Sequence, residues 1–242
     1  MRTSDQDNYY RDKEGNDFFI RNYAEKDVPQ LRKNKIAILE HLDTAGITYT
    51  NVLEFGCCYG DLLAELARRD GTEKTWGVEA SRKAVEFGRE LYSEAGFRII
   101  QGTIANNELM DSAHKDGFDL IIIDDVFGWV SRETILQSVA NIDYLLRDGG
   151  FVFIRDFYPN KRVKNRNHHI EDALVYNFKV LGSHSRIFES TGTYVVDSSK
   201  IYMDNLGMST DYKCDNPFNY RWADIILRKS VNGFFDEVKI IE

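Results

Sequence analysis

The sequence predicts one doubly wound α/β domain, and three stretches carry that prediction. Asn51-Val-Leu-Glu-Phe-Gly-Cys-Cys-Tyr-Gly-Asp61 is an apolar run with an acid and two glycines, and it leads into the helical pattern Leu62-Leu-Ala-Glu-Leu-Ala-Arg68. Strand, tight turn and helix follow from that order. Lys74-Thr-Trp-Gly-Val-Glu-Ala80 reads as a second strand ending in Glu79, with Ser81 as N-cap of a helix through Glu94. Phe118-Asp-Leu-Ile-Ile-Ile-Asp-Asp125 is apolar almost throughout, as a central parallel strand buried on both faces must be.

At 242 residues and 43% hydrophobic, the chain can bury one sizeable core and has no room for a second full domain. A net charge of -8 repels phosphate backbones from the surface as a whole, so no nucleic-acid partner is expected. Apolar runs such as Leu120–Ile123 are too short to cross a bilayer, and Met1–Asp7 does not read as a signal peptide. The expectation is a soluble, cytoplasmic protein without a membrane partner, monomeric or homo-oligomeric. Of three cysteines, Cys57 and Cys58 are adjacent, which gives neither a disulfide framework nor a zinc spacing.

In chain order, residues 1–30 form a cap segment. Tyr9, Tyr10, Phe18 and Phe19 cannot make a core by themselves, so the segment folds over the domain edge or over a ligand mouth. The main domain spans 31–230 and a tail 231–242. Leu31, Ile36, Ile38, Leu39 and Leu42 give an amphipathic helix closed by Ala45-Gly46. A third strand, Phe97–Gln101, ends in Gln101-Gly-Thr103. Asp124 and Asp125 stand at the carboxyl end of the central strand, the edge where doubly wound sheets bind ligands. Ser131 caps a helix to Leu146, stopped by Asp148-Gly-Gly150, and Gly150–Asp156 is the fifth strand. The insertion 157–175 is basic, with Lys161, Arg162, Lys164 and Arg166 suited to phosphate or carboxylate. His184 begins the next strand, Thr193–Val196 and Lys200–Met203 are strand candidates, and Trp222–Arg228 is the last strand.

The glycine spacing separates two cofactors. A dinucleotide site needs G-x-G-x-x-G, and from Gly56 the other two places hold Cys58 and Asp61, a carboxylate that would repel the pyrophosphate. Glu54, Gly56 and Gly60 instead resemble motif I of class I S-adenosylmethionine methyltransferases, E/D-x-G-x-G-x-G, with Cys58 in place of the middle glycine. Asn141–Asp156 is similar to the leucine-rich block of that family, with Asp148 in place of its proline. The resemblance implies a seven-stranded Rossmann-like methyltransferase fold with an antiparallel last strand. It also implies S-adenosylmethionine as cofactor. Glu54, Gly56 and Gly60 would hold its methionine end, and Cys58 and Asp124 are further cofactor-binding candidates. Glu79, beside Ala80, would accept hydrogen bonds from its ribose hydroxyls, and Gln101, Gly102 and Thr103 would meet the adenine. Aromatic faces of the cap near the sulfonium would contribute roughly 0.5–2 kcal/mol.

Order along the last third, from Asp156-Phe-Tyr-Pro159 to Phe188–Tyr194, looks similar to methyltransferases of polysaccharide and other small-molecule pathways. The implied activity is methylation of a small anionic molecule, with O-methylation of a sugar or nucleotide-linked sugar as the leading class. Tyr9, Tyr10, Lys161, Arg162, Arg166 and His184 are the candidate substrate residues. A hydroxyl acceptor must lose its proton at about the time of attack, and His168, His169, Asp125 and Asp156 are the candidate bases. Mg²⁺ on Asp124, Asp125 and Asp156 is a rival reading, opposed by Phe157 where the metal-dependent family has an amide ligand, and no metal is expected. Amino-methylating nucleic-acid enzymes carry D/N-P-P-Y/F after strand four, where this chain has Asp124-Asp-Val-Phe127; Asp215-Asn-Pro-Phe218 has one proline too few. A non-catalytic interaction protein that kept the fold is the remaining alternative.

Overall fold

The computed structural model describes residues 4–23, 31–105, 117–203 and 221–235. At its centre lies β4 (Phe118–Asp124), buried from Phe118 through Ile123 because strands pair with both its edges and helices cover both faces. β1 (Asn51–Phe55) and β5 (Leu146–Phe157) pair with it in parallel. β2 (Lys74–Glu79) and β3 (Arg98–Gln101) continue the parallel half beyond β1. On the other side β9 (Trp222–Lys229) runs antiparallel to β5, and β8 (Tyr194–Tyr202) antiparallel to β9. The order β3-β2-β1-β4-β5-β9-β8 is the expected doubly wound seven-stranded sheet with an antiparallel last strand.

Alternation along the strands builds two cores. Val52, Leu120, Ile122 and Phe153 pack against α3 (Lys33–Thr44) and α4 (Asp61–Leu66). Leu53, Phe55, Ile121, Ile123 and Val152 face the other way, onto α6 (Ile135–Leu145). At about 1.5–3 kcal/mol per fully buried Leu, Ile, Val or Phe, these layers make the carboxyl edge of the sheet a firm platform. α5 (Arg82–Leu91) begins at Ser81, whose Oγ accepts from the Ala84 amide at 3.1 Å.

The N-terminal segment lies over that platform as α1 (Asp5–Tyr9), a π-helical turn Tyr10–Glu14 and α2 (Gly15–Asn22). Gly15 permits the close approach to α5, since a Cβ there would sit 2.8 Å from the Tyr10 carbonyl oxygen and 3.2 Å from the Ser81 nitrogen. Asn16 Oδ1 accepts from Ser81 Oγ and the Lys83 amide, both at 3.0 Å. The basic insertion contains one arm of a hairpin, β6 (Val163–Arg166) paired with β7 (Tyr176–Lys179).

Several element boundaries differ from those read in the sequence. Ser131 does not cap α6, which starts at Ile135 after Thr134. The Ser131 amide donates instead to Asp7 Oδ1 at 2.9 Å, and Thr134 Oγ1 donates to Asp7 Oδ2, so the cap segment holds this stretch as a turn. β5 begins at Leu146 rather than Gly150, because Lys229 Nζ takes the Asp143 and Leu146 carbonyls and ends α6 directly against the sheet. His184 opens no strand; it precedes α7 (Ser185–Glu189). The two strand candidates around 193–203 are one strand, β8, with a register shift between Val196 and Ser198. Residues 215–218 lie outside the described residues.

Candidate active site

A cavity of about 450 Å³ opens at the carboxyl ends of β1, β2 and β4, beneath the cap. That volume lies within the range of small-molecule sites. Gly56 continues β1 at φ +73°, and a Cβ there would come within 2.4 Å of Val126 Cγ2. Only bare backbone fits between β1 and the turn after β4. Cys58 follows at φ +53° without being glycine, and Gly60, at φ +85°, is the N-cap of α4, where an added Cβ would come within 3.0 Å of the Ile99 and Phe97 side chains. Burial pushes the Cys58 thiol up to about 12, so it is an uncharged lining group and not a nucleophile.

Glu79 lines the cavity and secures the first turn. Its Oε2 accepts from the Cys58 amide and its Oε1 from the Ser81 amide, both at 2.8 Å. Burial raises its pKa, against the lowering effect of those amides. Ala80, Gly102 and Thr103 complete this end. Gln101 stays beneath it, donating from Nε2 to the Ala80 carbonyl at 3.3 Å.

At the other end lies a cluster of charges. Arg32 donates from Nε and Nη2 to Asp61 at 2.8 and 2.6 Å, its backbone amide adds a third bond, and its guanidinium lies over Tyr23 and Tyr59. Burial disfavours ionised Asp61, yet the Arg32 bonds outweigh it and hold its pKa below the usual range. Lys35, 2% exposed, sits 2.6 Å from Glu54 Oε1 and 2.9 Å from Asp124 Oδ2. Glu54 is thus one layer below the cavity, not in its wall. Burial lifts Glu54 to about 7 against the pull of Lys35, whereas Asp124 is lowered, since Lys35 and Arg155 outweigh its burial.

Asp125 is the second non-glycine in left-handed backbone, at φ +56°. The residue is half-buried, but its Oδ1 is fully buried and has no hydrogen-bond partner among the described residues. Burial, then Asp156 and Asp124, raise its pKa well above the carboxylate range. Facing the same cavity are Tyr10 and Trp129, ring centroids 5.8 Å apart. Burial and the neighbouring acids keep Tyr10 a phenol. The π-helical turn starts at Tyr10, and such turns recur at functional sites.

Other residues singled out in the sequence stand outside the lining. Asp156 spends Oδ1 on the Phe157 amide and Oδ2 on the Gly128 amide. His184, fully buried, stacks on Phe127 with Nδ1 3.0 Å from Asp156 Oδ2. Arg132, which has only donors to offer, meets Nε2 at 3.1 Å. His168 and His169 are exposed in the turn after β6, rings 3.9 Å apart. Tyr9 is on the roof, donating to Asp172 at 2.6 Å. Lys161, Arg162 and Arg166 are exposed on the hairpin and its approach. Among the described residues, no group of three or more His, Cys, Asp or Glu is placed to hold a metal ion.

Arg32, Lys35 and Trp129 were not read from the sequence. A signal existed for the first two: Arg32, Lys33 and Lys35 crowd the start of a helix, where cations oppose the macrodipole, so they must be paired elsewhere.

The residues present fit S-adenosylmethionine. Glu79 lines the cavity as an acceptor that a ribose diol could use, Gly56 permits close approach of backbone, and Arg32, with three of its five N–H groups engaged, can still donate to a carboxylate.

Residues 52–150 match the family described as a methyltransferase domain. A curated relative, the tRNA N(3)-methylcytidine methyltransferase trm140 of Schizosaccharomyces pombe, is 24% identical over 200 residues, 79% of this chain and 61% of the relative. The chain spans little more than three fifths of the length of the curated relatives it matches. Among solved structures, 1,6-didemethyltoxoflavin-N1-methyltransferase of Burkholderia thailandensis is similar at a TM-score of 0.63 and 14% identity, over 95% of this chain and 92% of that one. An S-adenosylmethionine-dependent methyltransferase of Clostridium acetobutylicum is similar at 0.55 and 15% identity, over 92% and 99%. Among the described residues, no helix is long and apolar enough to cross a membrane.

Proposed function

We infer, from the premise that this chain is an S-adenosylmethionine-dependent methyltransferase, that it methylates a ring nitrogen of a nucleobase-like heterocycle. The observation that carries the reading is Asp125: a carboxyl with a buried, unpartnered Oδ1, held in left-handed backbone at the end of β4 beside the aromatic pair Tyr10 and Trp129. The bound cofactor supplies an electrophilic methyl group on a sulfonium. The chain's task is alignment and exclusion of water, which the cap performs from above. Glu79 would hold the ribose, Arg32 the methionine carboxylate, and Gly102 with Thr103 the adenine side.

A neutral ring nitrogen either becomes a cation on methylation or must give up a proton. Asp125, once ionised, suits the second outcome as the base, and the aromatic faces attract the cation formed in the first. The name of the fission-yeast relative supports a nucleobase as the acceptor. The sequence alone favours O-methylation of an anionic sugar, on the strength of the basic insertion and the paired histidines. Those side chains stand outside the cavity wall, which gives that acceptor less support.

The test is transfer of radiolabelled methyl to a panel of nucleosides, RNA and phosphorylated sugars, with the product located by mass spectrometry. Methylation on a ring nitrogen is expected, with kcat reduced about a hundredfold or more by Asp125→Asn. Methylation of sugar hydroxyls alone, or an Asp125→Asn enzyme with unchanged turnover, would overturn the reading.

A further inference from the structure

Hairpin β6–β7 gathers positive charge that neither the fold nor the cavity uses. Lys161 and Arg162 are exposed before β6, and along it the exposed Lys164 and Arg166 alternate with the half-buried Val163 and Asn165. Among the described residues no carboxylate pairs with any of these four cations: Lys164 Nζ lies 3.7 Å from the Tyr176 ring centroid, and Arg166 donates to the Glu171 backbone oxygen. The nearby acid Asp172 is already taken, by Lys13 at 2.5 Å and by Tyr9. In a chain of net charge -8, an unneutralised basic ridge is a local inversion of sign.

The ridge also borders the cavity mouth. Gln6 donates to the carbonyls of both Trp129 and Tyr176, at 2.6 and 2.9 Å, and the Phe178 amide donates to the Gly128 carbonyl at 2.6 Å. β7 is thereby tied to the loop that carries Trp129 into the cavity wall.

We propose that this hairpin is a docking ridge for single-stranded RNA, its four cations taking successive phosphates while one base enters the niche of Asp125, Tyr10 and Trp129. The proposal rests on the nucleobase reading above. Lys164 and Arg166, two residues apart on one strand face, are about 6.7 Å apart along it, comparable with the step between phosphates of an extended strand. Single strands are required because a base must leave its stack to enter a pocket. The exposed rings of His168 and His169, tilted at 43° to one another just after β6, offer a neighbouring base an aromatic face to stack on.

The experiment is fluorescence anisotropy of a labelled mixed-sequence RNA oligonucleotide. It is titrated at increasing KCl with wild type and with the quadruple variant Lys161→Ser, Arg162→Ser, Lys164→Ser, Arg166→Ser. Every phosphate that the variant no longer neutralises should flatten the slope of log affinity against log salt by about 0.7, up to roughly 3 for all four. Wild-type slope in the variant, no RNA binding by wild type, or preference for a DNA oligonucleotide or for phosphatidylcholine–phosphatidylserine vesicles sinks the proposal. S-adenosylhomocysteine binding by both proteins, measured by calorimetry, separates lost docking from a failed cofactor site. Asp125→Asn should lose methyl transfer yet dock RNA with the wild-type slope, so ridge and niche can fail independently.

Discussion

Cys58 and Asp125 hold left-handed backbone at two sides of the same cavity, and each costs of the order of 1–3 kcal/mol that the surrounding sheet must offset. For Asp125 the strain is joined by an electrostatic cost, since its folded pKa is raised above the unfolded value. Its contribution to stability is therefore fully present below the unfolded pKa and is lost as pH rises through the folded one. Thermal melts across that window should show wild type losing stability with rising pH more steeply than Asp125→Asn; parallel curves would exclude this origin. Glu79→Ala removes the acceptor of two backbone amides and, on the proposed reading, of the ribose. S-adenosylhomocysteine affinity should fall roughly tenfold to a hundredfold by calorimetry, as for other charge-assisted bonds. Glu79 was legible in the sequence because a strand ended on it. The pairing of Asp156 with His184, both named from the sequence for other roles, was not, because the two meet only when β5 and α7 have been folded side by side.

Among the elements, the strands were the most readable, since a central parallel strand is apolar on both faces and few other structures tolerate that. Helix starts were less so: Ser131 has the composition of an N-cap, but Asp7, more than a hundred residues away, takes its amide. No local pattern encodes that competition. It also makes the cap testable as an element. Gly15→Val places a branched side chain where a Cβ alone would already meet Tyr10 and Ser81 backbone. The helix should lift from α5, with S-adenosylhomocysteine affinity lowered at least about tenfold and only a modest fall in Tm, because the main sheet is untouched. A variant with unchanged affinity would mean that the cap does not shape the cavity.

Over the whole molecule, charge is organised in two ways that composition could not reveal. In the cavity wall, Lys35 lies between Asp124 and the Glu54 behind it, while outside, the basic ridge stands apart from an acidic surface. Lys35→Met leaves the buried Glu54 unpaired and Asp124 with only Asn34 and the more distant Arg155, a loss of about 3–5 kcal/mol and a fall in Tm of the order of 10 °C. Adding Glu54→Gln should recover part of it, and strict additivity in a double-mutant cycle would refute the pairing. The bonds made by the cap have a consequence for synthesis. Gln6 and Asp7 are translated well before their partners: Trp129, Ser131 and Tyr176 follow 123, 124 and 170 residues later. On the ribosome the first helix therefore waits, its polar side chains unanswered, until most of the chain has emerged, and protease should cut nascent chains there long after the central strands have become resistant.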